Sequence, residues 1–424
     1  DSAYRAGVKK VCFASSACVY PRSLQSKARN IGARNARILL SENMADPFTE
    51  GKAFADEEYG WCLTGKSYIL TRYGLKQIMY VQPGDLVLAK DNTWRRVLRV
   101  LRRPLRANER IVRLKPSRGM AASMTSQHRV WTSLGWRQVG EIVGYRSWRR
   151  PLMVLPEPSP PIEFPKEKNL KFTYHGYRSE IASSPELWRF IGFWLAEGTL
   201  EPHTGKNADP GYISVSQKDR KTLEKYLPIA RELDPDSKIN GPYAYGNGIH
   251  ILRLWHHGLW HWMHQNFLAP TRFHRYRGRS KTLPLWLSGQ NEEAFRAFWN
   301  GWNEGDGKHS NDRRSESVST SSSSLAGRMY VVLRARNIPV SLSSSHNRRS
   351  QSFTISWLAS DYANYGAIGP EHNRPSMVYD LEIEGESSYS IPGAFVHNSK
   401  LMGEMAMKAY YKQYGMKGVS CRIF

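Results

Sequence analysis

Two short stretches near opposite ends of the chain form one helical motif only if everything between them is removed. The first contains Tyr59 and ends at Trp61, and the second begins with Ser399 and Lys400. Joining Trp61 to Ser399 would place Lys400 four residues after Tyr59, on the same face of a helix. The sequence therefore predicts that residues 62–398 are an insert with its own fold, which interrupts a second folded unit.

The insert carries reactive groups at both of its ends. A thiolate is strongly nucleophilic, so Cys62 could attack the carbonyl of Trp61 and convert the amide into a thioester. Ser399 would then accept the acyl group as an ester, and the side chain of Asn398 would attack its own carbonyl to release the insert. His397 would polarise that carbonyl or stabilise the oxyanion. This order of groups predicts a precursor that splices itself.

Short apolar runs that alternate with turn residues predict an all-β fold for residues 62–145. The region contains Thr125 and His128 in a Thr-x-x-His motif, and a strand-like segment around Asp380 follows near the end of the insert. This order resembles the Hint fold of inteins. The resemblance implies that His128 protonates the scissile peptide and that Thr125 hydrogen-bonds it. It also implies that Asp380 or a histidine of the insert is the base for Ser399 and that splicing needs no cofactor; an Asp380 that only caps a turn is the alternative.

Capping residues and apolar spacing predict two helices in the middle of the insert. Ser184 caps the first, and the second runs from Asn291. Gly192 and Gly301 occupy equivalent places in the two helices and would let them approach closely. The sequence also predicts strands at 212–215, 249–254 and 352–357, and a Ser/Thr-rich turn or loop at 315–324.

The two helices end in carboxylates, Glu197 and Asp306, where the helix macrodipole disfavours negative charge. A divalent cation between them would offset that cost and could activate water for attack on a phosphodiester. The helix ends resemble the paired motifs of LAGLIDADG homing endonucleases, which implies Mg²⁺-dependent cleavage of double-stranded DNA at the host gene that lacks the insert. Asn300 and Asn303 make the second motif degenerate, Glu304 is a fallback ligand, and a pair of solvated acids is the alternative.

The net charge of +24 lies mostly in the insert and favours a polyanion as partner, although a solvated basic surface would have the same charge. Phosphate neutralisation would dominate DNA affinity, so binding should weaken steeply with salt. The predicted DNA contacts are Arg272, Arg275, Arg277, Arg279 and Lys281, with His274, Lys308, Arg313 and Arg314 as further candidates.

The segment 8–20 contains an apolar run that predicts a buried parallel strand ending near Ser16. Together with Tyr59 and Lys400 it resembles nucleotide-sugar epimerases of the extended short-chain dehydrogenase family, of the GDP-mannose 3,5-epimerase type. The resemblance implies that Ser16, Cys18, Tyr59 and Lys400 are catalytic in the host enzyme; a merely buried strand cysteine is the alternative for Cys18. It further implies NAD(P) for the complete spliced enzyme, whose glycine-rich motif would precede Asp1, and a homodimer.

Four cysteines without metal-ligand spacing, no membrane-length apolar run and no signal peptide favour a cytoplasmic chain. We also expect the insert to be a monomer. The predicted fold is multidomain, with an all-β Hint splicing domain, an α+β endonuclease domain inserted in it, and α/β Rossmann-type flanks (exteins).

A splicing-only intein with a decayed endonuclease and an epimerase with an unprocessed insert are the other hypotheses. The predicted boundaries are 1–61 for the first flank, 62–155 and 371–398 for the splicing domain, 156–169 for a proline-rich linker, 170–370 for the endonuclease and 399–424 for the second flank.

Overall fold

The computed structural model describes the backbone of residues 10–16 and 417–423, together with most of the insert. Of the predicted site residues, Cys18, Tyr59, Ser399, Lys400, Arg272, Arg275, Arg277 and Arg279 lie outside the described residues, as do His274, Arg313 and Arg314. The described ranges of the insert are 62–142, 169–174, 177–202, 210–235, 241–269, 280–309, 315–346, 351–360, 365–371, 375–385 and 388–398.

Strands predominate in the described ranges. In chain order they are β1 (Lys10–Ser16), β2 (Leu63–Thr64), β3 (Tyr68–Thr71), β4 (Gly74–Gln77), β5 (Leu86–Leu88), β6 (Trp94–Pro104), β7 (Ile111–Pro116), β8 (Ala122–Thr125), β9 (Arg129–Thr132), β10 (Gly135–Gln138), β11 (Asn169–Tyr174), β12 (Tyr177–Ala182), β13 (Gly198–Pro202), β14 (Pro210–Gln217), β15 (Tyr243–Gly246), β16 (Ile249–Leu254), β17 (Gly307–His309), β18 (Ser315–Thr320), β19 (Val340–His346), β20 (Gln351–Leu358), β21 (Gly366–Pro370), β22 (Met377–Ile383), β23 (Ser388–Ile391), β24 (Ala394–His397) and β25 (Lys417–Ile423). The α-helices are α1 (Val139–Ile142), α2 (Pro185–Glu197), α3 (Arg220–Glu224), α4 (Leu227–Leu233), α5 (His257–Phe267), α6 (Glu292–Asp306) and α7 (Ser323–Ala335), and short 3₁₀ helices span Ile78–Tyr80 and Leu285–Gly289.

Strands from the two ends of the insert interleave in two sheets. The nine-stranded sheet has the order β21-β7-β8-β2-β22-β6-β5-β3-β4, and a four-stranded sheet has the order β10-β9-β24-β23. Leu63 pairs with Tyr379 and Met124, while Val396 pairs with Val130. The all-β prediction for residues 62–145 holds for the described part, residues 62–142, which contains one α-helix, α1, and the 3₁₀ helix Ile78–Tyr80.

The middle of the insert repeats one arrangement of helix and sheet. Helix α2 leads directly into β13 of the sheet β13-β14-β16-β15, and α6 leads directly into β17 of the sheet β17-β18-β20-β19. Both predicted helices and all three predicted strands are confirmed, and the side chains of Ser184 and Asn291 accept hydrogen bonds at the two N-termini.

Two sequence-based predictions for this region were wrong. Residues 315–320 form β18 rather than a loop, because their polar backbone pairs with both β17 and β20 while Val318 is buried in the core. Residues 366–370 form β21, which pairs with β7 of the nine-stranded sheet. That pairing places the end of the middle region before residue 366 rather than at residue 370.

Helices α2 and α6 pack closely through two glycines, as their spacing predicts. A Cβ atom on Gly192 would overlap the carbonyl oxygen of Phe298, and one on Gly301 would overlap that of Arg189. Each glycine thus lets the backbone of the other helix occupy the space of a side chain. This approach fixes the distance between the two helix ends that carry Glu197 and Asp306.

The β3–β4 hairpin packs against α7, so the two regions of the insert share a core. Leu70 and Leu75 belong to the same buried apolar cluster as the α7 side chains. Two hydrogen bonds also join α7 to the main chain of the hairpin. Ser324 Oγ donates to Tyr73 O at 2.7 Å, and Arg328 Nε donates to Arg72 O at 3.0 Å.

The two flanks contribute one parallel strand pair. The register of β1 and β25 runs from Lys10 opposite Lys417 to Ser16 opposite Ile423. The strand within residues 8–20 was predicted, and Ser16 is the last residue of β1. No helix in the described residues is long and apolar enough to cross a membrane.

We expect Gly192→Ala to lower the free energy of unfolding by about 1–3 kcal/mol, because the added methyl group must push the two helices apart. Urea unfolding followed by the fluorescence of the buried tryptophans in α2 and α6 measures the change. Gly369→Ala is the matched control, since its Cβ would meet nothing within 4 Å. Equal midpoints for the two variants would contradict close packing at Gly192.

Candidate functional site

The first candidate site surrounds Cys62, which is 3% exposed at the start of β2. The pairing of β2 with β8 holds it against Thr125: the Cys62 N–H donates to Thr125 Oγ1 at 3.1 Å, and the Thr125 N–H donates to Cys62 O at 2.9 Å. Thr125 thus binds the peptide that contains the Cys62 nitrogen. This is the contact that the Thr-x-x-His motif predicts for the scissile peptide.

His128 is fully buried in the turn after β8, where its backbone N–H donates to the backbone carbonyl of Thr125 at 2.9 Å. Among the described residues, neither nitrogen of its ring makes a hydrogen bond of good geometry, although the main chain of Cys62 lies near the ring. Burial and the neighbouring His397 ring lower the pKa of His128 to about 3, while the main chain of Cys62 acts in the opposite direction. The fully buried His128 ring thus lies close to both the main chain of Cys62 and the ring of His397.

The other end of the insert reaches the same place through β24. The pairing of Val396 with Val130 brings His397 beside the turn that holds His128. The His397 ring packs edge-on against Trp136, with ring centroids 4.9 Å apart at an interplanar angle of 79°. Asn398 follows directly and is also buried. Trp136 therefore orients His397, a role that sequence reasoning did not assign.

Asp380 lies within β22 and is almost completely buried. Its Oδ1 atom accepts hydrogen bonds from the Leu381 N–H and the Tyr389 hydroxyl, both at 2.8 Å. The alternative of a turn-capping aspartate is wrong, because the residue is inside a strand. Since β22 pairs with β2, the Asp380 carboxylate acts electrostatically on the Cys62 thiol.

Sequence reasoning missed an ion pair beside this cluster. Arg103, near the end of β6, makes two hydrogen bonds to Glu109, and both side chains are largely buried. Burial raises the pKa of the Cys62 thiol to about 12; Arg103 opposes this shift, and the carboxylates of Asp380 and Glu109 add to it. In the sequence Arg103 is one of five arginines in β6, and nothing local distinguishes it from the exposed ones.

The second candidate site lies where α2 and α6 end. Burial raises the pKa of Glu197, whose Oε1 accepts a hydrogen bond from Gln217 Nε2 at 3.0 Å. Burial and the charge of Glu197 raise the pKa of Asp306 to about 6, against the effect of Lys281. The two carboxylates are thus close enough to repel each other, which is the arrangement that a divalent cation would stabilise.

Lys281 is buried beside these carboxylates rather than exposed to DNA. Its Nζ atom donates to Trp194 O at 3.0 Å and to Leu195 O at 2.9 Å, at the C-terminal end of α2. Burial lowers its pKa to about 8, and the charges of Asp306 and Glu197 oppose that shift. The prediction of a surface phosphate contact at Lys281 is therefore wrong, because the ammonium is bound inside the protein.

Glu304, the fallback ligand, is engaged elsewhere. Its carboxylate accepts hydrogen bonds from Lys225 at 2.5 Å, Tyr226 at 2.8 Å and Arg189 at 2.9 Å. Burial opposes its ionisation, but these three donors outweigh burial and lower its pKa. Within the described residues no group of three or more His, Cys, Asp or Glu side chains could hold a metal ion. Glu197 and Asp306 would provide two carboxylate ligands, and water and phosphate oxygens fit the remaining positions.

Comparisons with known proteins give partial matches. No family model matches the sequence. The ATP-dependent DNA helicase Hel308 of Thermococcus kodakarensis is 23% identical over 426 residues, a match that covers 80% of this chain and 36% of the helicase. The chain thus spans about a third of the length of that relative.

Two kinds of solved structure resemble parts of the chain. The homing endonuclease I-DmoI in complex with DNA and calcium matches 42% of this chain and 84% of its own, with 13% identity and a TM-score of 0.31. The gp41-1 intein matches 28% of this chain and 75% of its own, with 16% identity and a TM-score of 0.17. Scores this low leave the function to be inferred from the geometry of the two sites.

The raised pKa of Asp306 predicts a pH-dependent stability. Between its ordinary value of 3.8 and about 6, the folded chain holds a proton that the unfolded chain has lost, so this contribution to stability falls as the pH rises through that window. We expect Asp306→Asn to raise the melting temperature above pH 6, with a gain that vanishes below pH 3.8. Added Mg²⁺ should stabilise the wild type but not the variant.

Differential scanning calorimetry across this pH range measures the effect. Glu304→Gln, two residues earlier in the same helix, is the control and should lower the melting temperature at neutral pH, because Glu304 is stabilised by its three donors. A gain for Asp306→Asn that does not change with pH would contradict the repulsion from Glu197.

Proposed function

We propose that the chain is a self-splicing precursor, an intein that excises residues 62–398 and joins its two flanks. The observation that supports this most directly is the position of His128, which adjoins both the main chain of Cys62 and the ring of His397. Both ends of the insert therefore meet at one buried imidazole. A stably inserted domain has no need to bury a thiol, an imidazole and the asparagine at the end of the insert in one place.

In the first step the Cys62 sulfur attacks the carbonyl carbon of Trp61, and the bond from that carbon to the Cys62 nitrogen breaks. The proton that the thiol loses is the one that the departing nitrogen gains. His128 can carry it, because its low pKa makes the protonated ring a strong acid towards that nitrogen. Thr125 holds the Cys62 N–H at 3.1 Å and so keeps the peptide oriented during the transfer.

The later steps use the other end of the insert. Ser399 accepts the acyl group from the thioester, and Asp380 is the proposed base for its hydroxyl. The Asn398 side-chain nitrogen then attacks the Asn398 carbonyl carbon, which breaks the bond to Ser399 and leaves a succinimide on the insert. His397, oriented by Trp136, stabilises the oxyanion of that step. The Ser399 ester finally rearranges to an amide.

We further propose that the middle region is a LAGLIDADG-type endonuclease that cleaves double-stranded DNA at the host gene lacking the insert. Glu197 and Asp306 would hold Mg²⁺, which supplies Lewis-acid activation of water and charge neutralisation at the phosphate. The close packing of Gly192 and Gly301 fixes the two carboxylates at a short separation. Lys281, with its pKa of about 8, can exchange a proton near neutral pH beside them.

An exposed sheet surface supports DNA as the partner of this region. Tyr212, Tyr243 and Tyr245 are exposed on the sheet that contains β14–β16, and the Arg253 guanidinium lies 5.7–5.9 Å from their ring centroids. An antiparallel sheet with exposed polar and aromatic side chains suits a DNA groove. The predicted contacts at Arg272, Arg275, Arg277 and Arg279 remain part of this proposal.

For the flanks we propose a nucleotide-sugar epimerase that uses NAD(P) once spliced. The parallel pairing of β1 with β25 supports a single α/β unit on both sides of the insert. Ser16, Cys18, Tyr59 and Lys400 are its proposed catalytic residues. The cytoplasmic location, the monomeric insert and the dimeric host enzyme are further parts of the proposal.

We expect the wild-type chain to convert itself into a joined product of residues 1–61 and 399–424 and a free insert. The double variant Cys62→Ala, Asn398→Ala should stay at full length, because neither peptide bond next to the insert can then be broken. Gel electrophoresis and mass spectrometry distinguish these products. Cys421→Ala, in the second flank, is the control and should splice normally. A joined product from the double variant would show that the reacting residues are wrongly assigned.

The excised insert should cut a plasmid that carries the uninterrupted host sequence when Mg²⁺ is present. Glu197→Gln and Asp306→Asn should each reduce the rate by at least about 100-fold, because each loses a ligand of the cation. Glu304→Gln should retain cleavage, since its carboxylate binds Lys225, Tyr226 and Arg189 instead. Absence of cutting by the wild type would favour a decayed endonuclease.

A further inference from the structure

The ion pair between Arg103 and Glu109 lies in an unusually enclosed position for two charges. Arg103 Nη1 donates to Glu109 Oε2 at 2.7 Å and Arg103 Nη2 to Oε1 at 2.5 Å, and the two side chains are only 9% and 13% exposed. Burying a charge pair costs desolvation energy that its mutual attraction often fails to recover. The position of this pair therefore needs an explanation beyond stability.

The loop after β6 holds this pair rigidly. Glu109 Oε2 also accepts from the Arg106 N–H at 3.0 Å, and Arg103 Nη1 donates to Pro104 O at 3.0 Å. The guanidinium is thus fixed on two sides before any reaction begins. A preorganised donor of this kind stabilises developing charge without having to rearrange.

The remaining donor capacity of Arg103 is directed at Cys62. Strand β22 lies between β2 and β6, with Thr64 and Arg103 both opposite Val378, and the guanidinium hydrogen-bonds the Cys62 side chain. Of the charged side chains that act on the thiol, Arg103 is positive, whereas Asp380 and Glu109 are negative. His128 is neutral at rest and adds no positive charge.

We propose that Arg103, held by Glu109, is a catalytic residue of the first splicing step, in which its guanidinium stabilises the Cys62 thiolate. The inference rests on the proposed splicing function. The bond from the Cys62 sulfur to the Trp61 carbonyl carbon forms, the Trp61–Cys62 peptide bond breaks, and the thiol proton passes to the freed nitrogen. Arg103 exchanges no proton in these steps, because a guanidinium stays protonated throughout.

The test isolates the first step in the Asn398→Ala precursor, which can form the thioester but cannot release the insert. Added dithiothreitol cleaves that thioester, and the rate of cleavage after Trp61 is followed from pH 6 to pH 9. Arg103→Met should slow cleavage by roughly 100-fold near neutral pH, the effect typical of losing one preorganised donor. Its rate should recover as the pH rises, and Arg103→Lys should be intermediate because it keeps the charge.

Two controls separate catalysis from folding. Arg102→Met changes the neighbouring, exposed arginine and should cleave at the wild-type rate. In the Cys62→Ala precursor, which reports only Asn398 cyclisation, Arg103→Met should leave C-terminal cleavage unchanged. Glu109→Gln, which keeps the shape of the pair, should slow only the first step, and less than Arg103→Met does.

The charged or titratable groups around the thiol are Arg103 and Glu109 near β6, Asp380 on β22, Tyr389 on β23 and His128 after β8. Only the Arg103 variants should move the rate–pH profile towards higher pH. A wild-type rate and profile for Arg103→Met would overturn the inference, and so would equal slowing of both junctions. A wild-type precursor that cleaves at neither junction would instead overturn the proposed splicing function itself.

Discussion

The backbone pairing of β2 with β8 on one side and β22 on the other determines where the chemistry of this chain can occur. Leu63 pairs with Met124 and with Tyr379, residues separated from each other by most of the insert. Through these pairings Cys62 lies against Thr125 and close to Asp380. Strand β24 completes the arrangement by pairing with β9. The first and last residues of the insert therefore lie in one buried site because of the sheet topology.

Both candidate sites bury titratable groups and so move their pKa values away from the values in water. Burial raises the pKa of the Cys62 thiol and lowers that of His128, so neither group is charged at rest. At the ends of α2 and α6 burial acts on two carboxylates and one ammonium, which leaves Asp306 and Lys281 with pKa values of about 6 and 8. In each case burial holds the group in an environment that disfavours its charged form, as is common for titratable groups at functional sites.

The sequence predicts well the features that local spacing controls. The N-caps at Ser184 and Asn291 and the apolar stripes give both helices, and the equal placement of Gly192 and Gly301 predicts their close packing. The sequence does not predict features that are determined by contacts between residues far apart in the chain. Lys281 follows a basic segment and resembles a surface residue, but the C-terminus of α2 binds its ammonium.

Arg103 illustrates the same limit at the first site. It resembles its exposed neighbours in the sequence of β6, and only the fold reveals its burial, its ion pair with Glu109 and its contact with Cys62. The serines of 315–320 form a strand because β17 and β20 lie on both sides of them, a condition that composition does not reveal.

The packing of the β3–β4 hairpin on α7 bears on how such an insert can change over generations. Leu70 and Leu75 complete their burial with side chains of the middle region. A gene deletion that removed the middle region would expose an apolar patch on the remaining sheet, and such patches promote aggregation. Point substitutions at the helix ends would instead abolish the proposed DNA cleavage and preserve the fold. Accumulated point substitutions, rather than deletion, are therefore the evolutionary route that removes the proposed DNA cleavage and keeps the proposed splicing.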